Sequence, residues 1–235
     1  MKKLRSIKKP VAMLFIIVYI LALTSCKNEI DKIGGQALVE KARTDYEKLN
    51  SGKVVVTNVE TNEIEQTLTF KYDEVGLLIY ALESGNSQEA YCQYNNGYQA
   101  YTINNGEYTF YEKGNRNFEA YTKDVKYPQL SKTYLYFDVS KISDVEIEKP
   151  EKLSKYIYTY DNSKITGDKG LGSLESFVTS YVFDENDDML YFEEISSYVK
   201  DGKSTEHHYK IELIDKNNVE KVQIPKDIQS KINDK

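Results

Sequence analysis

The chain has 235 residues, 40% of them hydrophobic, 29% charged and 12% aromatic, with a formal net charge of −6. That mixture excludes a collagen-like or charge-swollen disordered chain and supplies one sizeable core. The acidic balance, with arginine only at Arg5, Arg43 and Arg116, argues against nucleic acid as a partner, because a phosphate backbone is bound through clustered positive charge.

The N-terminus carries the most specific signal. Lys2, Lys3, Arg5, Lys8 and Lys9 form a positive head, and Val11 to Leu23 follow without a charge. Those are the n-region and h-region of an export signal, and the apolar stretch is short of the roughly 20 residues that span a bilayer. It ends in Leu23-Thr24-Ser25-Cys26, which resembles the lipobox of bacterial lipoproteins. Cleavage is expected between Ser25 and Cys26, with a thioether-linked diacylglycerol on the Cys26 thiol and palmitate as the expected kind of acyl group. The alternative, an uncleaved anchor helix with an ordinary thiol, suffers from that short length. Two acyl chains hold a protein on a membrane where one does not. Removal of residues 1–25 takes away five positive and no negative side chains. It leaves 26 Lys and Arg against 37 Asp and Glu, a formal charge of −11. The body is therefore expected to be a lipid-anchored, extracytoplasmic one, held by its lipid and not by charge. Cys92 is the other cysteine, so an acylated Cys26 leaves no intrachain disulfide.

Residues 26–35 read as a polar tether ending in Gly34-Gly35. From Gln36 to Leu49, the spacing of Leu38, Ala42, Tyr46 and Leu49 predicts one face of an amphipathic helix, stopped by Asn50-Ser51-Gly52. The period then changes. Short runs of Val, Ile, Thr, Tyr and Phe punctuated by Asn, Asp and Gly predict a meander of roughly ten antiparallel strands. Ile64, Leu68, Phe70 and Tyr72 alternate with polar residues, giving one buried face. Thr61-Asn62, Asn96-Gly97, Asn105-Gly106 and Asp201-Gly202 suit hairpin turns.

Val75 to Leu82 is apolar on both alternations, which predicts a central strand under the helix with its other face on a second apolar space. Ser131 to Glu151 and Ser163 to Leu174 are less regular and are candidate lids. Ser176 to Asp184, Met189 to Lys200, Ser204 to Ile214 and Val219 to Ile224 read as four final strands, closed by Pro225. The domain is expected to end at residue 228, with a polar tail over 229–235.

The lipobox, the short tether, the helix ending in Lys48 to Gly52, the long meander and the final strand ending at Pro225 together resemble the LolA/LppX-like lipoprotein-carrier superfamily. The hairpin from Tyr94 to Ile103 and the strand-turn from Tyr181 to Asp188 add to the likeness, which spans residues 36–228. The resemblance implies an α+β, mainly β fold: a curved antiparallel half-barrel whose N-terminal helix and short helical or loop segments pack on the concave side. It also implies a hydrophobic or lipid-like ligand, and the anchor favours a fixed receiver, sensor or presenter over a shuttle. The candidate ligand-binding residues are Leu68, Phe70, Leu77, Ile79, Tyr94, Tyr101, Tyr158 and Tyr181.

Catalytic chemistry finds little support. His207 and His208 are adjacent on an expected strand and point to opposite faces. Cys92 has no basic neighbour to activate it. Asp184, Asn186 and Asp188 begin a calcium-loop pattern that fails at Met189 and Ile195, leaving a hairpin turn. No enzyme activity, cofactor or metal site is expected. Tyrosine is abundant, 21 residues against no tryptophan, with Tyr156, Tyr158 and Tyr160 on one strand face. That abundance suits the mouth of an amphipathic pocket, or follows from strand propensity and an AT-rich coding bias. The alternative function is a cell-envelope interaction module that docks a partner protein through this tyrosine-rich face.

Overall fold

The computed structural model describes residues 33–84, 91–118, 135–167 and 170–233. The leader over 1–25, Ser25, Cys26 and the tether before residue 33 lie outside the described residues, as do 131–134 of the first candidate lid. No helix among the described residues is long and apolar enough to cross a membrane.

Eleven antiparallel strands form one open sheet in the order β6-β5-β4-β3-β2-β1-β11-β10-β9-β8-β7. The strands are β1 Ser51–Asn58, β2 Ile64–Tyr72, β3 Leu78–Ser84, β4 Tyr91–Asn95, β5 Gln99–Asn104, β6 Glu107–Glu112, β7 Ile142–Glu148, β8 Ser154–Tyr160, β9 Ser173–Phe183, β10 Met189–Lys200 and β11 Lys203–Ile214. Each hairpin pairs neighbours, so β1–β6 step outward to one edge. The chain then crosses to the far edge and meanders back inward from β7. The pairing of β1 with β11 joins the two wings. This is the expected mainly β half-barrel architecture with an N-terminal helix.

Helix α1 Gln36–Glu47 lies across the strands. Its entry packs by the β8 ring of Tyr156, while Tyr46 near its end meets Phe70 of β2 edge-on at 6.5 Å. Its 12 residues reach about 18 Å at 1.5 Å each, enough to bridge most of the five inter-strand gaps of about 4.8 Å from β8 to β2. Gly35 caps α1 in the left-handed region, φ 77°, and a Cβ there would run into the Tyr156 ring. Val39, absent from the predicted apolar face, is fully buried beside Tyr46. Ser51 and Gly52, read as a helix stop, already belong to β1.

One core fills the concave side. Cross-strand register places Ile147, Tyr156, Tyr181, Phe192, Ile211 and Val56 in a single row. Tyr158 and Tyr160 extend the aromatic face, so all three alternating β8 tyrosines are buried and offer no surface to a partner. Two of their hydroxyls, and that of Tyr181, are tied to protein groups. Tyr158 Oη donates to Gly34 O at 2.9 Å, Tyr181 Oη donates to Tyr136 O at 3.2 Å, and Tyr160 Oη lies 3.2 Å from Thr179 Oγ1. Tyrosine here pins the helix entry and the stretch 135–138 to the sheet.

That stretch corrects the first lid expectation. Leu135 and Phe137 are core residues, and Arg43 Nη1 of α1 donates to Phe137 O at 3.3 Å. The chain continues from there as a short 3-10 turn, Val139–Lys141, and edge strand β7. Within the second, Asn162–Lys164 is a 3-10 turn and β9 begins at Ser173; Asn162 Nδ2 donates to Glu175 O at 2.6 Å.

Two further corrections concern β3 and the C-terminus. The apolar run from Val75 does not start the strand: Asp73 Oδ1 accepts the N–H groups of Val75 and Leu77, at 3.0 and 2.7 Å, and Gly76 turns at φ 78°. This Asx turn leaves Val75 77% exposed. Strand β3 sits fourth from one edge, not centrally. Val219 to Ile224 is not a strand, because β1 already occupies the open edge of β11. It is an extended segment leading through Pro225 into helix α2 Lys226–Asn233. The helix runs through the domain end expected at 228 and into the supposed tail: Ile228 is fully buried and Ile232 packs beside it.

Candidate functional site

Strand β3 is covered on both faces, as its two-sided apolar pattern predicts. Leu78, Tyr80 and Leu82 join the concave core, while Ile79 and Ala81 join a second cluster with Cys92, Tyr94 and Ile103 of the next strands and Val222 and Ile228 of the C-terminal segment. The eight candidate ligand residues therefore do not converge. Leu68, Phe70, Tyr158 and Tyr181 are fully buried in the concave core. Ile79, Tyr94 and Tyr101 lie on the opposite face. Leu77 sits in the turn before β3, against Gly97. Alternation along one strand cannot say which face a ligand uses.

The two faces differ in free volume. On the concave side, between Tyr46, Val54, Leu135, Met189, Ile211 and Leu213, about 10 Å³ is open, too little for more than one water. Near the end of α1 a cavity of about 80 Å³ lies among Tyr46, Leu49, Met189, Leu213 and Lys216. On the outer side, between β3–β5 and residues 223–227, the cavity is about 530 Å³. That is within the usual size of a small-molecule site. Ile103, Ile224 and Pro225 supply its apolar wall, Cys92 and Gln223 its neutral polar groups, and Glu83 and Asp227 its carboxylates. The lining from 223 to 227 is where sequence reasoning missed the site, since those residues read as strand end and stop. The two-faced apolar run at β3 was the available signal.

Among the groups that electrostatics perturbs are Cys92, Glu194 and Asp184. Burial, then the Asp227 and Glu83 charges, pushes the Cys92 thiol up to about 11, so it stays protonated at neutral pH. Glu194, on the concave face between Thr179 and Tyr209, has its carboxyl pushed up to about 7 by burial. Asp184 is held below the usual carboxylate range by the N–H groups of Asp188 and Asn186, at 3.0 and 2.8 Å, the geometry of a hairpin turn. His207 lies against Tyr198 and Tyr209, while His208 lies 3.9 Å from the Glu193 carboxylate on the other face. No group of three or more His, Cys, Asp or Glu among the described residues is placed to hold a metal ion. On the concave face, Gln93 Nε2 and Thr102 Oγ1, directly opposite one another on β4 and β5, are buried without hydrogen-bond partners.

Fold and site together define an α+β protein: one open antiparallel sheet with an aromatic core on its concave face and a cavity of about 530 Å³ at one wing of its outer face. No family model matches the chain, and no curated protein matches it. Among solved structures the chain is similar to LprF from Mycobacterium bovis, with 13% identity and a TM-score of 0.46 over 81% of this chain and 96% of that one.

Proposed function

We propose that the chain is a non-catalytic, extracytoplasmic lipoprotein, anchored through diacylglycerol on Cys26, whose body binds a hydrophobic or lipid-like molecule. The lipobox Leu23 to Cys26 supports the anchor. The single observation that carries the binding is the 530 Å³ cavity between β3–β5 and the C-terminal segment. A saturated chain of twelve carbons fits such a volume, at roughly 0.8 kcal/mol of transfer free energy per buried methylene. On the concave side, where tyrosines and phenylalanines pack together, the spaces beside Tyr46 and Met189 are about 80 and 10 Å³.

Native mass spectrometry of the full-length chain expressed in a bacterial host and released from membranes in mild detergent tests both halves. The expected species starts at Cys26, carries a covalent diacylglyceryl mass and retains a non-covalent amphiphile. A chain with its leader uncleaved and Cys26 unmodified sinks the anchor. A correctly processed chain that never carries an amphiphile sinks the binding.

A further inference from the structure

The outer cavity has a charge asymmetry that narrows its ligand. Glu83 of β3 and Asp227 of α2 line it together, and their combined field is felt by the Cys92 thiol between them. The ion pairs of the described residues include neither carboxylate. Among the described residues that line the cavity Lys226 is the one cation, so two negative charges there face one positive. Asp227 has a second role in the first turn of α2, where it offsets the helix dipole; Glu83, on a strand, has none. A protonated thiol adds a weak hydrogen-bond donor without adding charge. Of the rest of the wall, Ile103, Ile224 and Pro225 are apolar, while Ser84 and Gln223 are neutral and polar. The chain as a whole is acidic, which disfavours anionic headgroups at long range.

Resting on the ligand-binding reading, we propose that this cavity selects a cationic amphiphile, a single apolar chain bearing a protonated amine, with Glu83 and Asp227 receiving the amine and Ile103, Ile224 and Pro225 the chain. An anionic chain of the same length meets those carboxylates as repulsion, and a neutral one keeps only the apolar contacts.

Three twelve-carbon probes separate these cases: dodecylamine, dodecanol and dodecanoic acid. The full-length chain is placed in phosphatidylcholine nanodiscs, and alkylation of Cys92 by N-ethylmaleimide is followed on its own peptide. Each probe partitions equally into discs carrying wild type or variant, so the ratio between the two proteins reports the site. Dodecylamine is expected to half-protect Cys92 at a concentration at least tenfold lower in wild type than in E83Q/D227N. Dodecanol is expected to protect both proteins equally, and dodecanoic acid to protect wild type less well than dodecanol. Glu83→Gln alone, on an exposed strand position, is expected to give part of the dodecylamine effect. Unchanged dodecylamine protection in the double variant, or dodecanoic acid protecting as well as the amine, overturns the charge selection while leaving the cavity a ligand site. No protection of Cys92 by any of the three overturns the ligand-binding reading itself.

Discussion

The two sides of β3 meet opposite solutions to the same problem. Its concave residues Leu78 and Tyr80 enter a core closed by α1 and by Leu135 and Phe137, where ring meets ring: Phe137 with Tyr158 at 5.1 Å, Tyr181 with Phe192 at 4.8 Å. Its outer residues Ile79 and Ala81 meet a segment of fewer than twenty residues that touches down at Val222 and Ile228 and leaves a cavity between. Aromatic rings presented by β2, β3, β8, β9 and β10 can interdigitate over the sheet, whereas one extended segment and a short helix cannot cover a sheet wing without gaps. The cavity behind β3–β5 lies under that thin cover.

Substitutions on either side sharpen that contrast. Phe192→Ala removes a fully buried ring from the middle of the concave row and is expected to cost about 3–5 kcal/mol, read as a lower urea midpoint for the whole chain. An effect no larger than that of an exposed position would break the picture of a solid core. Glu194→Gln tests the same face by pH. A carboxyl whose folded pKa is raised from its ordinary value of 4.5 to about 7 favours folding least when ionised, so wild-type stability falls as pH rises from about 4.5 through 7. The variant is expected to be more stable at pH 8 by up to about 3 kcal/mol, with the gain fading toward pH 4. A variant that follows the wild-type pH curve would place that carboxyl in water. Thr102→Val should be the mildest. It deletes a hydroxyl that is buried and unpartnered, so stability is expected to hold or rise by about 1 kcal/mol; a clear loss would reveal a bond the hydroxyl makes.

Much of this was legible from spacing. The helix from Gln36, the alternation of Leu68 and Phe70, the hairpins at Asn105-Gly106 and Asp201-Gly202, and the opposite orientation of His207 and His208 all depend on local periodicity and turn chemistry. So does the two-faced burial of β3. What spacing could not deliver was pairing. Val219 to Ile224 has strand composition but cannot pair with β11 before it, because β10 and β1 already hold both edges of that strand, and the chain beyond it folds as α2.

The order of residues by itself determined the change from helical to strand period after residue 50 and which side chains share a strand face, because each is set within a few residues along the chain. Tertiary structure alone decided that the tyrosines of β8 close a core instead of opening a pocket, and that the free space lies behind β3–β5 under the C-terminal segment. Those outcomes depend on which distant elements arrive to cover each face and how completely their atoms fill it, and volume left between elements far apart in sequence has no local signature.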